Sequence, residues 1–389
     1  MKLSILIVNY RSKEYLEHCL VACTKAVGEI LAEILVADNG AGDDLTSFFN
    51  GKFPQVKFFE LSENIGFSRA NNFLLQQARG SYTLFLNPDT IIGENTLKNS
   101  LNYLINNRKA GALGVKMVNG QGEFLPESKR NIPAAKSGFM KMIGLEKPGR
   151  KISTTTYYDN SLSADEIGRT KILSGAFLLL SPKAKDLSAG FDEKFFMYGE
   201  DIDLSVRLLK NGLENHYLGS ESIIHFKGKS NYDQKAHVHH FFEAMNIYTA
   251  KHYASRPYSK KFMQAGVLLG KWKSAFASNF KKKPTINFKH LWAVIGNSTQ
   301  IDDISKLLME KGADQIKPIE LTAEIDNKLI MHLIPDLLNE GINHMVFCQG
   351  FLNFKTIISA LEQNAGKITA FIHTENSRTI AGDQGIIYL

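Results

Sequence analysis

What most limits the fold of this chain is the alternation of apolar runs and helix-patterned segments through residues 1–110. Residues 3–9 are an apolar run closed by Asn9, the pattern of a parallel strand buried on both faces. Residues 12–26 have helical spacing. Residues 33–37 read as a second strand, halted by the turn signal Asp38-Asn39-Gly40. Residues 56–61 read as a third, residues 68–78 as a helix stopped by Arg79-Gly80, and residues 82–86 as a fourth strand broken by Asn87-Pro88-Asp89. Repeated strand–helix–strand units build an α/β domain, a mostly parallel sheet with flanking helices. Such sheets bind ligands beyond the carboxyl ends of their strands. Asn9, Asp38-Asn39 and Asn87-Pro88-Asp89 are therefore expected to gather on one edge.

The chain beyond is less regular. It holds a polar loop (119–130), a Lys/Gly-rich stretch (136–151), a polar run (153–163) and an apolar strand (175–180). Residues 195–212 begin aromatic and acidic and continue as a helix, and residues 223–226 read as a short strand. Residues 238–283 read as helical and basic, with Trp272, Phe276 and Phe280 spaced by four. The net charge of +7 is concentrated here: residues 244–301 carry ten Lys/Arg and no Asp/Glu, leaving the remainder at −3. The apolar face suits packing on the main domain, and the basic face suits an anionic membrane surface. Lys281-Lys282-Lys283-Pro284 reads as a linker. After it, strand and helix alternate again as a smaller Rossmann-like unit, whose first turn, Ile295-Gly296-Asn297-Ser298-Thr299, lacks the glycine spacing of a dinucleotide site. The expected division is residues 1–240, 241–284 and 285–389, the last an interaction or regulatory unit.

With 44% hydrophobic and 22% charged residues, the chain is neither disordered nor a coiled coil. Cys19, Cys23 and Cys348 form no CxxC pair, which argues against a disulfide framework or a structural zinc. No apolar run approaches the roughly 18 residues of a membrane span, and the first run is too short for a signal-peptide core. The expected location is cytoplasmic, at or near the inner membrane face. Nucleic-acid binding is not expected, because the aromatics in the basic stripe fall at helical spacing rather than on a stacking platform.

Four features carry the chemistry. They are strands ending in Asn9-Tyr10 and Asp38-Asn39; the turn Asn64-Ile65-Gly66 opening a helix with Arg69 and Asn71; Asn87-Pro88-Asp89; and Phe195-Phe196-Met197-Tyr198-Gly199-Glu200-Asp201-Ile202-Asp203, followed 24 residues after Asp201 by His225. Each has a plainer local reading. Asp38-Asn39 and Asn-Pro-Asp make good turns, and acids at a helix start favour its dipole. Together and in this order, over residues 1–230, they resemble the family 2 inverting glycosyltransferases of the GT-A fold, especially their rhamnosyltransferase-like bacterial branch.

The resemblance implies a nucleotide-diphosphate-sugar site. Asp38 would bond the base, with Asn9 and Tyr10 beside it, and Asn64, Gly66, Arg69 and Asn71 would face the pyrophosphate. Asn87-Pro88-Asp89 stands where most of the family has Asp-x-Asp, so one metal-binding carboxylate is an amide, a form common in that branch. Asp89, completed by His225, would hold Mn²⁺ or Mg²⁺. Asp201 would be the general base for the acceptor hydroxyl, with Glu200 holding the acceptor and Ser174-Gly175-Ala176 giving it close approach. The implied reaction is single-displacement transfer, with rhamnose from dTDP-rhamnose as the first choice of sugar, to a glycan or polyprenyl-phosphate-linked acceptor in cell-surface polysaccharide synthesis. If the C-terminal unit regulates or docks, a chain ending near Lys283 is expected to fold and keep its donor-binding ability. A donor-making nucleotidyltransferase would need a glycine-rich loop after the first strand, and Asn9-Tyr10-Arg11-Ser12-Lys13 has none. A non-catalytic glycan- or nucleotide-sugar-binding protein on the same fold is the alternative, supported by Asn87 alone.

Overall fold

The computed structural model describes residues 1–40, 42–49, 51–133, 157–227, 234–253, 286–322 and 327–389. Its first sheet is built on β1 (Leu3–Asn9), every residue of which is buried. β1 pairs in parallel with β2 (Ala32–Asn39) on one side and, on the other, with β4 (Tyr82–Leu86). β3 (Val56–Leu61) extends this parallel half beyond β2. The other half is mixed. It holds β5 (Thr90–Ile92), β6 (Ala110–Val118), β8 (Ile167–Thr170), β10 (Phe177–Leu180) and β11 (Glu214–His225). The order is β3-β2-β1-β4-β10-β6-β11-β5, with β8 on β11. β7 (Lys129–Arg130) and β9 (Ile172–Leu173) form a short ribbon apart.

Seven helices among the described residues belong to this part: α1 (Lys13–Val27), α2 (Leu45–Phe48), α3 (Phe67–Gln77), α4 (Thr96–Asn106), α5 (Pro182–Ser188), α6 (Glu200–Lys210) and α7 (Gln234–His252). The expected strands and helices of residues 1–90 appear within a few residues of their predicted bounds. β5 and β6 were not anticipated, and β11 is much longer than the expected 223–226. Its first half carries Asn215 and His216, buried inside the sheet, so the apolar pattern breaks. Asn215 is tolerated there because its Nδ2 donates to the Lys171 and Ser205 carbonyls. The expected basic helix is seen over residues 234–252. Trp272, Phe276, Phe280, Lys281–Lys283 and the 136–151 stretch lie outside the described residues.

The second sheet has the order β13-β12-β14-β15-β16-β17. Its strands are β12 (Leu291–Gly296), β13 (Gln315–Glu320), β14 (His344–Cys348), β15 (Thr369–His373), β16 (Thr379–Gly382) and β17 (Gly385–Tyr388). The first four are parallel, with α8 (Ser298–Glu310), α9 (Asn327–Asn339) and α10 (Phe354–Gln363) between them. Pro318, which has no N–H to offer a ladder, stands on the edge strand β13, where that costs least. The turn after β12 is closed by its own side chains. Asn297 Oδ1 accepts from Gln300 N, and Gln300 Oε1 accepts from Asn297 N, a capping box that satisfies the first N–H groups of α8.

The two sheets share one apolar core, in which Tyr15, Leu16 and Ile92 belong to the same cluster as Phe354, Ile357 and Ile372. Polar groups fasten this contact. Glu17 on α1 takes the Lys52 ammonium on one oxygen and the Ser377 hydroxyl (2.6 Å) on the other, while Lys52 also reaches the Asn376 carbonyl. His18, fully buried, has Thr379 Oγ1 at 3.1 Å and Thr374 Oγ1 at 2.9 Å on its two nitrogens. Burial, with His373 and Lys52 nearby, pushes its pKa down to about 3, so it packs as a neutral ring. Glu94, in the turn after β5, accepts from the backbone N–H of Phe354 and Lys355, so a carboxylate from the first unit caps α10 of the second. The C-terminal unit is thus bound to the first through a buried, hydrogen-bonded surface. Glu17→Ala, which leaves Lys52 and Ser377 without their acceptor at that surface, should cost about 3 kcal/mol. A denaturant titration followed by tryptophan fluorescence and by circular dichroism should lose both signals in one transition.

Candidate active site

A cleft of about 440 Å³ opens at the carboxyl ends of β1, β2 and β4. Parallel pairing in register places Asn9 opposite Asp38, so the sheet itself delivers these polar ends together. Asn9 and Asp38 are buried. Asn9 Nδ2 donates to Asp38 Oδ1 (3.3 Å) and to Asp43 Oδ2 (3.1 Å), and Asp38 Oδ2 accepts from Asp43 N. Asn39 ties the end of β2 to the next turn, giving a hydrogen bond to Asn64 Oδ1 and taking one from Ile65 N. Tyr10, Asn39 and Asn64 line the cleft.

Gly66 stands at φ +88°, and a Cβ there would lie 2.7 Å from the Phe196 carbonyl oxygen. That oxygen accepts from Phe67 N at 2.7 Å, so only glycine lets the turn before α3 lock against the aromatic loop before α6. The neighbouring predictions on α3 are not brought into the cleft. Arg69 is exposed and lies 3.7 Å from Glu193, and Asn71 is buried against its own helix, donating to the Phe67 carbonyl. Sequence spacing placed both on a helix opening at the cleft but could not tell which face they take.

On the other wall, Asp89 and His225 meet. Asp89 Oδ1 lies 3.2 Å from His225 Nε2, with Asn87 Nδ2 3.4 Å from the same nitrogen. Antiparallel pairing of β5 with β11 sets Thr90 opposite His225, and Phe226 N donates to the Asp89 carbonyl. His225 Nδ1 is buried with no hydrogen-bond partner among the described residues, so Nε2 is the nitrogen turned to the acidic loop. An octahedral ion with bonds of about 2.1 Å sets neighbouring ligands about 3 Å apart, so this pair fits one divalent cation.

Glu200 and Asp201 open α6. The chain reaches them through two consecutive left-handed residues, Tyr198 (φ +70°) and Gly199 (φ +78°). The two carboxyls have different surroundings. Asp201 Oδ2 takes the Arg130 guanidinium at 2.6 Å and Gly175 N at 3.1 Å. Arg130 also reaches the Leu173 carbonyl and the Tyr157 hydroxyl. Glu200 is buried, and its Oε2 has no hydrogen-bond partner among the described residues. Burial first, and then the charge of Asp201, push the Glu200 carboxyl well above the ordinary carboxylate range. Asp203, predicted only as part of an acidic helix start, is the anchor of this element. Burial works against its charge, but His252, Lys251 and Arg207 outweigh it and hold the carboxyl below the usual range. Through His252 and Lys251 it fastens α6 to α7.

Arg130, Glu127, Tyr157, Tyr158 and Lys227 also line the cleft and were not singled out from the sequence. Arg130 ends the polar loop read as featureless, and its partner is 71 positions away, a distance at which no local pattern gives a signal. Glu127 is held below the usual carboxylate range: burial opposes this, and Lys227, bonded to it at 2.5 Å, overcomes the burial.

Residues 4–169 match the family model described as glycosyl transferase family 2. An N-acetylglucosaminyl-diphospho-decaprenol L-rhamnosyltransferase of Mycobacterium tuberculosis is 29% identical over 241 residues, which cover 59% of this chain and 77% of that protein. Rhamnosyltransferase WbbL of Escherichia coli K12 is 28% identical over 174 residues, 43% of this chain and 62% of WbbL. Among solved structures, Staphylococcus aureus TarS 1-349 in complex with UDP-GlcNAc is similar at a TM-score of 0.45 and 17% identity, over 72% of this chain and 76% of that one. The stretch that builds β1 to β8 is a glycosyl transferase family 2 domain, and the chain is a glycosyltransferase.

Proposed function

We propose that the chain transfers a sugar, rhamnose from dTDP-rhamnose as first choice, to a hydroxyl of a lipid-linked glycan by single displacement. The observation that carries this reading is the convergence of Asp201, Glu200, Asp89 and His225 on one cleft at the strand ends. The rhamnose choice is supported by the Asn87-Pro88-Asp89 sequence and by the names of the two relatives. The lipid-linked acceptor is supported by the diphospho-decaprenol in one of those names. Work at the inner membrane face is part of the same proposal. It rests on the basic stripe, and no helix among the described residues is long and apolar enough to cross a membrane.

In this reading Asp38 and Asn9 hold the base end of the donor and Tyr10 and Asn64 border it. Asp201 accepts the acceptor's proton as its oxygen bonds to the anomeric carbon, and the carbon–oxygen bond to the diphosphate breaks on the opposite face. Arg130 and Gly175 N orient the Asp201 carboxylate for that proton. Glu200 keeps its proton well above the pH at which a free carboxyl loses it, so it gives a hydrogen bond to the bound sugars rather than competing as a base. Asp89 and His225 would hold Mn²⁺ or Mg²⁺, which supplies countercharge to the diphosphate when bound. Among the described residues, those lining the cleft all precede residue 228, so the C-terminal unit serves as a docked support in this scheme.

A donor panel tests the reading. With UDP- and dTDP-sugars and Mn²⁺, one donor should release its nucleoside diphosphate. Asp201→Asn should lower that rate by about 10²–10⁴-fold while still binding the nucleotide. Silence across the panel, with no thermal shift from any donor, would favour the non-catalytic alternative. The Glu200 assignment has its own test in stability. A raised carboxyl pKa contributes stability that is present below the ordinary Glu range and is lost as pH rises through the raised value. Glu200→Gln should therefore match the parent in acid and become the more stable of the two as pH increases, read from chemical denaturation at several pH values. A pH-independent difference would remove the protonated Glu200 from the scheme.

A further inference from the structure

The cleft is lined by four carboxyl groups, Asp89, Glu127, Glu200 and Asp201, and by two permanent cations, Arg130 and Lys227. A nucleotide sugar brings a diphosphate into this acidic surrounding, and the reaction adds to its charge: the bond to the anomeric carbon breaks with its electron pair left on the departing oxygen. Asn87 removes one carboxylate from the metal loop, which weakens the hold on a divalent ion, so countercharge from the chain itself gains importance.

Arg130 is not free to supply it. It is buried, its terminal nitrogens are taken by Asp201, Tyr157 and the Leu173 carbonyl, and its Nε, without a partner among the described residues, is shut off from solvent. Lys227 differs on each count. Its side chain is 60% exposed, and its one ion pair among the described residues is with Glu127. It stands two residues after His225, at the end of β11, on the wall that carries Asp89. Its backbone is in the left-handed region at φ +50°, a conformation that a non-glycine residue adopts at a cost. An ammonium has three N–H donors, so Lys227 can keep Glu127 while bonding a phosphate oxygen.

We infer that Lys227 is the chain's own cation for the donor's diphosphate, held ready beside the metal loop by Glu127 and turned to the phosphates when the donor enters. This rests on the nucleotide-sugar reading above. It assigns Glu127 the part of a positioning residue, which places the ammonium without touching the donor.

Calorimetry on the full chain tests it, with UDP and dTDP as probes, uridine and thymidine as phosphate-free controls, and each run with Mn²⁺ and with EDTA. Lys227→Met should weaken the nucleoside diphosphate about tenfold, more in EDTA than in Mn²⁺, and leave the nucleoside unchanged. Lys227→Arg should recover most of the loss. Glu127→Gln, which no longer holds the ammonium beside the phosphates, should weaken diphosphate binding by a smaller factor than Lys227→Met and leave the nucleoside unchanged. Equal loss of nucleoside and nucleoside diphosphate in Lys227→Met would mean that the residue only shapes the cleft, and unchanged diphosphate affinity would mean that it does not meet the phosphates. Either result overturns the inference while the transferase reading stands. No binding of either diphosphate by the unaltered chain would overturn the nucleotide-sugar reading itself, and the inference with it.

Discussion

The in-register parallel pairing of β1 with β2 and β4 is the constraint on which the rest of the site depends. Side chains alternate faces along a strand, so a slip of one residue would exchange every buried position of β1 for one on the other face. β1 is buried throughout and its register is therefore strongly set. That register alone brings Asn9 beside Asp38 and sets Ile7 opposite Leu86, one residue before Asn87. The Asn9–Asp38–Asp43 cluster, the Asn39–Asn64 bond and the acidic loop all begin where these strands end.

The second wall of the cleft is assembled differently, from elements far apart in the chain. β11 pairs with β5 and so carries His225 to Asp89. The aromatic loop before α6 is clamped at Gly66, and α6 is clamped from behind by Asp203 to α7. Between these clamps two adjacent carboxyls end up in opposite environments. Asp201 meets a guanidinium and a backbone N–H, whereas at Glu200 burial and the charge of its neighbour outweigh a backbone hydrogen bond and the more distant Arg130. That difference is produced by packing, since the two residues are consecutive and nearly identical in chemistry.

The C-terminal unit extends the same logic outward. Its mostly parallel sheet packs against its helices as any such unit would, but it also shares a core with α1 and receives a carboxylate cap from Glu94. His18, a neutral ring, and Glu17 both sit in this surface, and each is tolerated because hydroxyls or an ammonium satisfy it.

Much of the first sheet was legible in the amino-acid sequence, because apolar runs of strand length closed by Asn, Asp and Gly are local signals. So were Asn87-Pro88-Asp89 and Glu200-Asp201, whose order along the chain carried the family resemblance. The length of β11 was hidden, because Asn215 and His216 interrupt the apolar pattern and find their partners only in the fold. The family resemblance set Arg69 and Asn71 toward the pyrophosphate, and the packing of α3 turns one to Glu193 and the other into the helix. Arg130, Glu127 and Lys227 carried no local signal at all. The sequence by itself determined which residues end strands and which acids open a helix, because both follow from short-range pattern. Only the tertiary structure decided which of those groups share a cleft, which acid keeps its proton and which cation stays exposed, because burial and charge pairing depend on neighbours tens of residues away.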